Sequence, residues 1–119
     1  MKDWRSIPCP VERTATLLAD HYVMMIVRDL VAGPKRFGDL QRAGINPRTL
    51  SARLRHLLHE GFVRREPHRE RPPRVVYRLT EKGQALLPLI DFLRAYGETW
   101  LPLARDPGLP ASRAGPLVP

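Results

Sequence analysis

The sequence predicts a mainly helical fold with one small β-hairpin, and two observations carry that prediction. Apolar residues recur at the spacing of a helical turn, about 3.6 residues, through most of the chain. Between Phe62 and Leu79, β-branched and aromatic residues instead form two short segments around a turn rich in proline and arginine. Because a capped helix directly precedes this hairpin, the order of elements predicts a helix-turn-helix followed by a wing.

The first helices have clear start and stop signals. Cys9 and Pro10 open a first helix over 10–19, and the almost continuous apolar run 21–31 predicts a buried second helix that ends at Gly33 and Pro34. A short third helix should start at Lys35 or Arg36, and Gly44 marks the turn that follows it. Helix, glycine turn and capped helix form the helix-turn-helix pattern.

The fourth helix is the best-defined element. Asn46 is a favoured N-cap residue, Pro47 suits the first helical position, and Gly61 suits a left-handed cap after the helix. An apolar stripe predicts the core-facing side: Leu50, Leu54, Leu57 and Leu58. The opposite side carries cationic and short side chains: Arg48, Ala52, Arg55, His56 and His59, flanked by Thr49 and Ser51.

The wing and the last helix follow. Strands are predicted over 62–66 and 75–79, with 67–73 as a proline-stiffened loop. Three wing cations are expected to project from this loop: Arg69, Arg71 and Arg74. Thr80 should cap one long helix to residue 101, bent at Pro88, with apolar residues on more than one face. One of those faces therefore needs a partner.

The 119 residues divide into three predicted segments: an N-terminal arm over 1–8, one domain over 9–101 and a disordered tail rich in proline and glycine over 102–119. No apolar run has the length of a signal peptide core or a membrane span, so we expect a cytoplasmic protein without membrane contact. Cys9 is the single cysteine, which excludes an intrachain disulfide and agrees with a reducing compartment.

The positive charge is concentrated in one part of the chain. Residues 34–78 hold 12 basic and 4 acidic residues, a net charge that equals the +8 of the whole chain. The flanking segments are therefore neutral overall. A basic patch confined to the helix-turn-helix and wing is the footprint expected of a protein that contacts a phosphate backbone, so double-stranded DNA is the predicted partner.

Several stretches together resemble the HxlR family of bacterial winged helix-turn-helix regulators. They are CPVERT (9–14), IVRDLVAGPKRF (26–37), PRTLSARLRHL (47–57), EGFV (60–63), PPRVVY (72–77) and LTEKG (79–83). The resemblance implies a homodimer, joined mainly by the first and last helices, that binds a roughly palindromic operator and regulates a neighbouring gene, by default as a repressor. Two departures stand out: ADHY at 19–22 replaces the usual glycine, glycine, lysine and tryptophan, and Arg69 and Arg71 replace more apolar wing residues.

The candidate DNA contacts follow from this arrangement. In the groove, arginine pairs with guanine edges or phosphate, threonine and alanine contact thymine methyl groups, and serine binds phosphate. The recognition-helix candidates are Arg48, Thr49, Ser51, Ala52 and Arg55. Lys35 and Arg36 are expected on the DNA backbone, and Arg69, Arg71 and Arg74 on the wing. Arg53 lies nearer the apolar stripe, where a structural salt bridge and a DNA contact are equally consistent with its position.

Cys9 is the candidate redox sensor. Its place at a helix start, one turn from Arg13, favours a reactive thiolate, whereas Glu12 opposes it. The alternative is a small buried residue at the dimer interface. Sensing would require a disulfide between subunits or with a small thiol.

Catalysis and metal binding are not predicted. The sequence has no recognisable nucleophile with its base and no phosphate-binding glycine loop, so we expect neither an enzyme nor a cofactor. His56 and His59 are expected to be solvated or near phosphate on the DNA-facing side rather than metal ligands. Two alternatives remain: a winged-helix module that binds an acidic protein surface, and a regulator that responds to an unknown small-molecule effector.

Overall fold

A computed structural model describes residues 3–68 and 74–104. The helices are α1 (Pro10–Leu18), α2 (His21–Val31), α3 (Phe37–Gln41), α4 (Pro47–His59), α5 (Glu81–Gln84) and α6 (Leu87–Trp100), after a 3-10 turn at Trp4–Ser6. The strands β1 (Val63–His68) and β2 (Arg74–Leu79) lie between α4 and α5. The predicted mainly helical fold with one antiparallel hairpin is confirmed. Among the described residues, no helix combines the length and the apolar character that crossing a bilayer requires.

The chain forms two compact units, the first ending at Leu86 and the second beginning at Leu87. The core of the first unit is centred on α2 and α4. Its fully buried side chains come mostly from these helices: Val23, Ile26, Val27, Leu40, Leu50 and Leu57. Leu54 is also buried, whereas Leu58 is half-buried, so the predicted apolar stripe of α4 faces the core along most of its length.

The helix ends show why the segments begin and end where they do. The side chain of Asn46 accepts a hydrogen bond from the Arg48 amide at 2.8 Å, as its N-cap role predicts. Asp20 caps α2 in the same way, through the amides of Tyr22 and Val23. Gly61 has a φ of 80°, a left-handed conformation that glycine adopts without a Cβ penalty. The cap predicted after α4 is thus confirmed.

The hairpin pairs β1 and β2 from Val63 opposite Leu79 to His68 opposite Arg74. The strands extend further than the sequence predicted, because Pro67 lies within β1 rather than in the loop. An unpredicted bridge joins the hairpin to the segment before α3. Lys35 and Tyr77 exchange two backbone hydrogen bonds, of 3.0 and 2.7 Å. The hairpin is therefore joined to the helix-turn-helix twice, because β1 follows α4 along the chain and β2 is bridged to the segment before α3.

The prediction of one bent helix from Thr80 to residue 101 is wrong. Helix α5 ends at Gln84, Ala85 and Leu86 form a turn, and α6 begins at Leu87. Pro88 lies in the first turn of α6, where its missing N–H leaves no hydrogen bond unmade. A continuous helix would need that N–H to bind the carbonyl of Gln84, so the break lies just before the proline.

Small differences affect other boundaries. Helix α1 ends at Leu18, and α3 begins at Phe37 because Arg36 occupies its N-cap position. In the second unit, α6 carries large exposed apolar side chains: Phe92, Leu93, Tyr96 and Trp100, followed by Leu101. The predicted tail over 102–119 lies outside the described residues from 105 onward.

Candidate nucleic-acid interface

The exposed side of α4 forms the centre of the candidate interface. Arg48, Ala52 and Arg55 are exposed, and Thr49 and Ser51 beside them are half-buried. Together these five predicted positions follow one side of α4 over its first two turns. Within the described part of the chain, neither the Arg48 nor the Arg55 side chain has an ion-pair partner. Two guanidinium groups on this surface are therefore available to an anion.

Arg53 differs from these two arginines. Its Nε donates to Oδ1 of Asp20 at 3.1 Å, and its guanidinium lies 5.8 Å from the centroid of the Tyr22 ring. Asp20 is also the N-cap of α2, so one carboxylate caps that helix and binds α4. Of the two roles that the sequence left open for Arg53, the structure shows the salt bridge.

His56 does not lie where the sequence predicted. Its Nε2 is 2.8 Å from the carbonyl oxygen of Leu17, and the side chain is half-buried between α4 and α1. The prediction of a DNA-facing His56 is therefore wrong, because the ring links α4 to the preceding helix. His59 is exposed. Across residues 3–68 and 74–104, no three histidine, cysteine or acidic side chains form a cluster suited to a metal ion.

The segment before α3 supplies the predicted backbone cations. Lys35 and Arg36 are half-buried, and Arg36 is partly engaged because its Nε lies 3.4 Å from Oδ2 of Asp39. Asp39 also binds Arg42 at 2.9 Å. The backbone amide of Arg36 is the main cause that holds the pKa of Asp39 below its ordinary value, with smaller contributions from both arginines. Asp39 is thus ionised at neutral pH and offsets part of the positive charge around α3.

In the wing, the structure describes one of the three predicted arginines. Arg74 is exposed at the start of β2, whereas Arg69 and Arg71 lie outside the described residues. Glu66 binds Arg78 at 2.8 Å and Arg64 at 3.3 Å. These bonds, that of Arg78 first, lower the pKa of Glu66. Two hairpin arginines are therefore neutralised in part by one carboxylate.

Arg65 is a further exposed cation of the hairpin, beyond those predicted from the sequence. It is exposed on β1 opposite Tyr77, and among the described side chains it has no ion-pair partner. The signal was present in the sequence, because successive side chains of a strand alternate between faces. Alternation places Arg64 and Glu66 together and Arg65 on the other side.

Cys9 is exposed in the single chain and is the N-cap residue of α1. Its Sγ accepts a hydrogen bond from the Glu12 amide at 3.5 Å. The Nη1 atom of Arg13 donates to the carbonyls of Ile7 and Pro8, at 2.7 and 3.0 Å. That nitrogen of Arg13 is therefore directed at backbone carbonyls of the preceding segment.

Comparisons with known proteins agree with this geometry. HxlR-like helix-turn-helix proteins match residues 17–105. The uncharacterized HTH-type transcriptional regulator sll1512 of Synechocystis sp. is 35% identical over 95 residues, a match that covers 78% of this chain and 70% of that protein.

Two solved structures are similar in fold. The redox regulator HypR in its oxidized form has a TM-score of 0.69 and 35% identity, covering 76% of this chain and 95% of that one. The reduced form of the transcriptional regulator YodB from B. subtilis has a TM-score of 0.68 and 31% identity, covering 81% and 97%. These matches confirm the resemblance that the sequence motifs predicted.

Proposed function

Because the chain belongs to the family of HxlR-like helix-turn-helix proteins and is a transcriptional regulator of that type, we propose that it binds a roughly palindromic operator as a homodimer. Helix-turn-helix regulators bind DNA and are typically dimeric. In this proposal α4 enters the major groove, and occupancy of the operator represses a neighbouring gene in the cytoplasm. It requires neither a cofactor nor enzymatic activity.

One observation carries the proposal: the contrast among the arginines of α4. Arg53 is engaged by Asp20, whereas Arg48 and Arg55 are exposed and have no ion-pair partner within the described residues. The ion pair takes up Arg53, whereas the guanidinium groups of Arg48 and Arg55 are left to bind an external anion. Phosphate and guanine edges are the ligands that such guanidinium groups bind in a bidentate manner.

The remaining contacts are assigned around α4. Thr49 and Ala52 present methyl groups to thymine, and Ser51 offers a hydroxyl to phosphate. Backbone phosphates would be bound by cations outside α4: Lys35, Arg36, Arg65, Arg69, Arg71 and Arg74. Such contacts position the protein without carrying sequence information.

The homodimer is supported by α6. Phe92 is 65% exposed and Trp100 is 49% exposed in the single chain, and both belong to the same 14-residue helix. Apolar side chains of this size are stabilised when a second chain covers them. Two α4 helices about 34 to 36 Å apart would then meet successive major grooves.

The test is the affinity of the purified protein for a duplex from its own upstream intergenic region, beside a scrambled duplex of equal composition, at two salt concentrations. We expect preference for the native duplex and a steep loss of affinity with salt. Equal, weak and salt-insensitive binding to both duplexes would instead indicate a winged-helix module that binds an acidic protein surface. A salt-dependent but unselective result would call for selection of bound genomic fragments.

A redox response through Cys9 is a second candidate function. It is supported by the exposure of the thiol in the single chain and by the similarity to a protein described as a redox regulator. Oxidation would join the two Cys9 thiols of a dimer, or one Cys9 and a small thiol, with loss of two electrons to the oxidant. Diamide should then reduce operator binding by the native protein and not by Cys9→Ser. Equal sensitivity of both proteins would reject the idea.

A further inference from the structure

A cavity of about 240 Å³ lies in the first unit, away from the exposed side of α4. Its walls are the rings of Trp4 and Phe62 and aliphatic side chains that include Leu17 and Leu86. Ligand sites of drug-like compounds span ~300–1,000 Å³, so this cavity suits a smaller compound of one or two rings. No sequence pattern predicts this cavity, because its walls come from four separate segments of the chain.

The charged groups at the cavity are cationic. Arg13 and Lys82 line it beside the hydroxyl of Thr14, and no acidic residue of the described chain does. The Nζ of Lys82 lies 4.5 Å from the centroid of the Phe62 ring and 5.8 Å from that of Trp4. A cation held between two aromatic faces is positioned to receive an anion while a ring of the same ligand packs on its neighbours.

The walls of this cavity also hold the end of α4. The indole Nε1 of Trp4 donates to Oε2 of Glu60 at 3.0 Å, and the Nζ of Lys82 donates to the Glu60 carbonyl at 2.7 Å. Glu60 is the C-cap residue of α4. The carbonyl of Leu17, another wall residue, binds His56. A ligand that draws Lys82 or Trp4 toward itself therefore alters the contacts that fix the C-terminal turn of α4.

We propose that this cavity binds a small aromatic monocarboxylate, with the carboxylate at Lys82 and the ring against Trp4, and that its occupancy changes the affinity of α4 for DNA. The proposed effect of the ligand on DNA affinity rests on the function proposed above. The proposed binding of the ligand does not, and it can be measured without DNA.

The probe is 3-phenylpropanoate, and the control ligand is its neutral amide, 3-phenylpropanamide. A Trp100→Phe background leaves Trp4 as the only tryptophan of the two in the chain. We expect saturable quenching of Trp4 emission by the carboxylate with a Kd of about 1 mM or lower, and binding of the amide at least about fivefold weaker. Absence of saturable binding, or equal binding of the two ligands, would overturn the assignment of an anion site.

Lys82→Met tests the cation directly, and Arg28→Met is the matched control, since it also removes one positive charge from an exposed side chain of the first unit. Lys82→Met should weaken carboxylate binding about fivefold or more and change amide binding less than about twofold. Arg28→Met should change neither. If Lys82→Met does not fold, the comparison of carboxylate with amide in the protein with native Lys82 still tests whether the cavity binds an anion.

The proposed effect of the ligand is tested by DNA affinity with and without saturating 3-phenylpropanoate. We expect a change of about fivefold or more in apparent Kd, which Lys82→Met abolishes. Ligand binding without any change in DNA affinity would overturn the effector role and leave the proposed function intact. Failure to bind DNA without ligand would overturn the proposed function, and the effector role with it.

Discussion

The Nε of Arg53 donates to Oδ1 of Asp20 at 3.1 Å, which joins the middle of α4 to the start of α2. Burial alone raises the pKa of Asp20, but the hydrogen bonds from Arg53 and from two backbone amides, together with the charge of Arg53, hold that pKa below its ordinary value. Asp20 is therefore in its carboxylate form when it pairs with Arg53 and links α4 to α2.

Asp20→Asn should make stability less sensitive to acid. Asparagine keeps the N-cap of α2 but loses the charge, so the cost at neutral pH should be about 0.5 kcal/mol for this partly exposed pair. A lowered folded-state pKa contributes stability above the unfolded value of about 3.9 and loses it as the pH falls toward the folded value. Urea unfolding at pH 5 and pH 3 should show a larger acid loss for the native protein. Equal losses in both proteins would contradict this role of Asp20.

Arg55→Met and Arg53→Met form a matched pair, since each removes one positive charge from α4. Arg55→Met should lower affinity for the native operator by about 1–3 kcal/mol and leave the free energy of unfolding within about 0.5 kcal/mol of the native value. Arg53→Met should instead lower stability more than Arg55→Met does, because it leaves Asp20 without its partner. Fluorescence anisotropy and urea denaturation measure the two quantities. If Arg53→Met lost operator affinity and Arg55→Met lost stability, the DNA contact would lie at Arg53 instead.

The sequence was most informative where the controlling interactions are local. Asn46, Pro47 and Gly61 are neighbours of the helix that they delimit, and cap chemistry acts within one turn. The contacts that remained hidden join distant segments. Trp4 binds Glu60 across 56 positions and His56 binds Leu17 across 39, and no periodic pattern encodes which distant backbone carbonyl a histidine meets.

Gly83→Ala should destabilise the first unit. A Cβ at Gly83 would collide with the backbone carbonyl oxygen of Phe62 and crowd the side chain of Leu79. We expect a loss of about 2 kcal/mol or more, because the backbone of Phe62 can yield only by disturbing β1. Gly38→Ala is the control, since a Cβ there meets no atom within 4 Å and alanine favours the helix. Similar unfolding free energies for the two variants would contradict the close packing at Gly83.

Phe92→Glu should convert the proposed dimer into a monomer. The substitution places a charge among the exposed apolar side chains of α6, where a second chain would have to desolvate it. Arg94→Glu introduces the same charge at an exposed polar position of the same helix and should leave the dimer intact. Sedimentation equilibrium distinguishes the two. A dimer that survives Phe92→Glu, or a native protein that is already monomeric, would exclude α6 as the interface.

The break between α5 and α6 could be predicted only in part from the sequence. Pro88 was visible in the sequence, and its missing N–H requires an interruption of the hydrogen bonds one turn earlier. A bend and a break both meet that requirement. In the structure the helix breaks, and α5 packs closely on the backbone of Phe62 at Gly83. The proline therefore indicates where the helix is interrupted, but not whether it bends or breaks.

Hydroxyl-radical footprinting of the protein on its selected operator tests the central claim most directly. A homodimer that places two α4 helices in successive major grooves should protect two symmetric stretches whose centres are about 10 to 10.5 base pairs apart on one side of the duplex. Arg55→Met should weaken both stretches equally. Two results would contradict binding of a palindromic operator by a dimer. One is a single protected stretch, and the other is uniform protection that is the same on the operator and on a scrambled duplex.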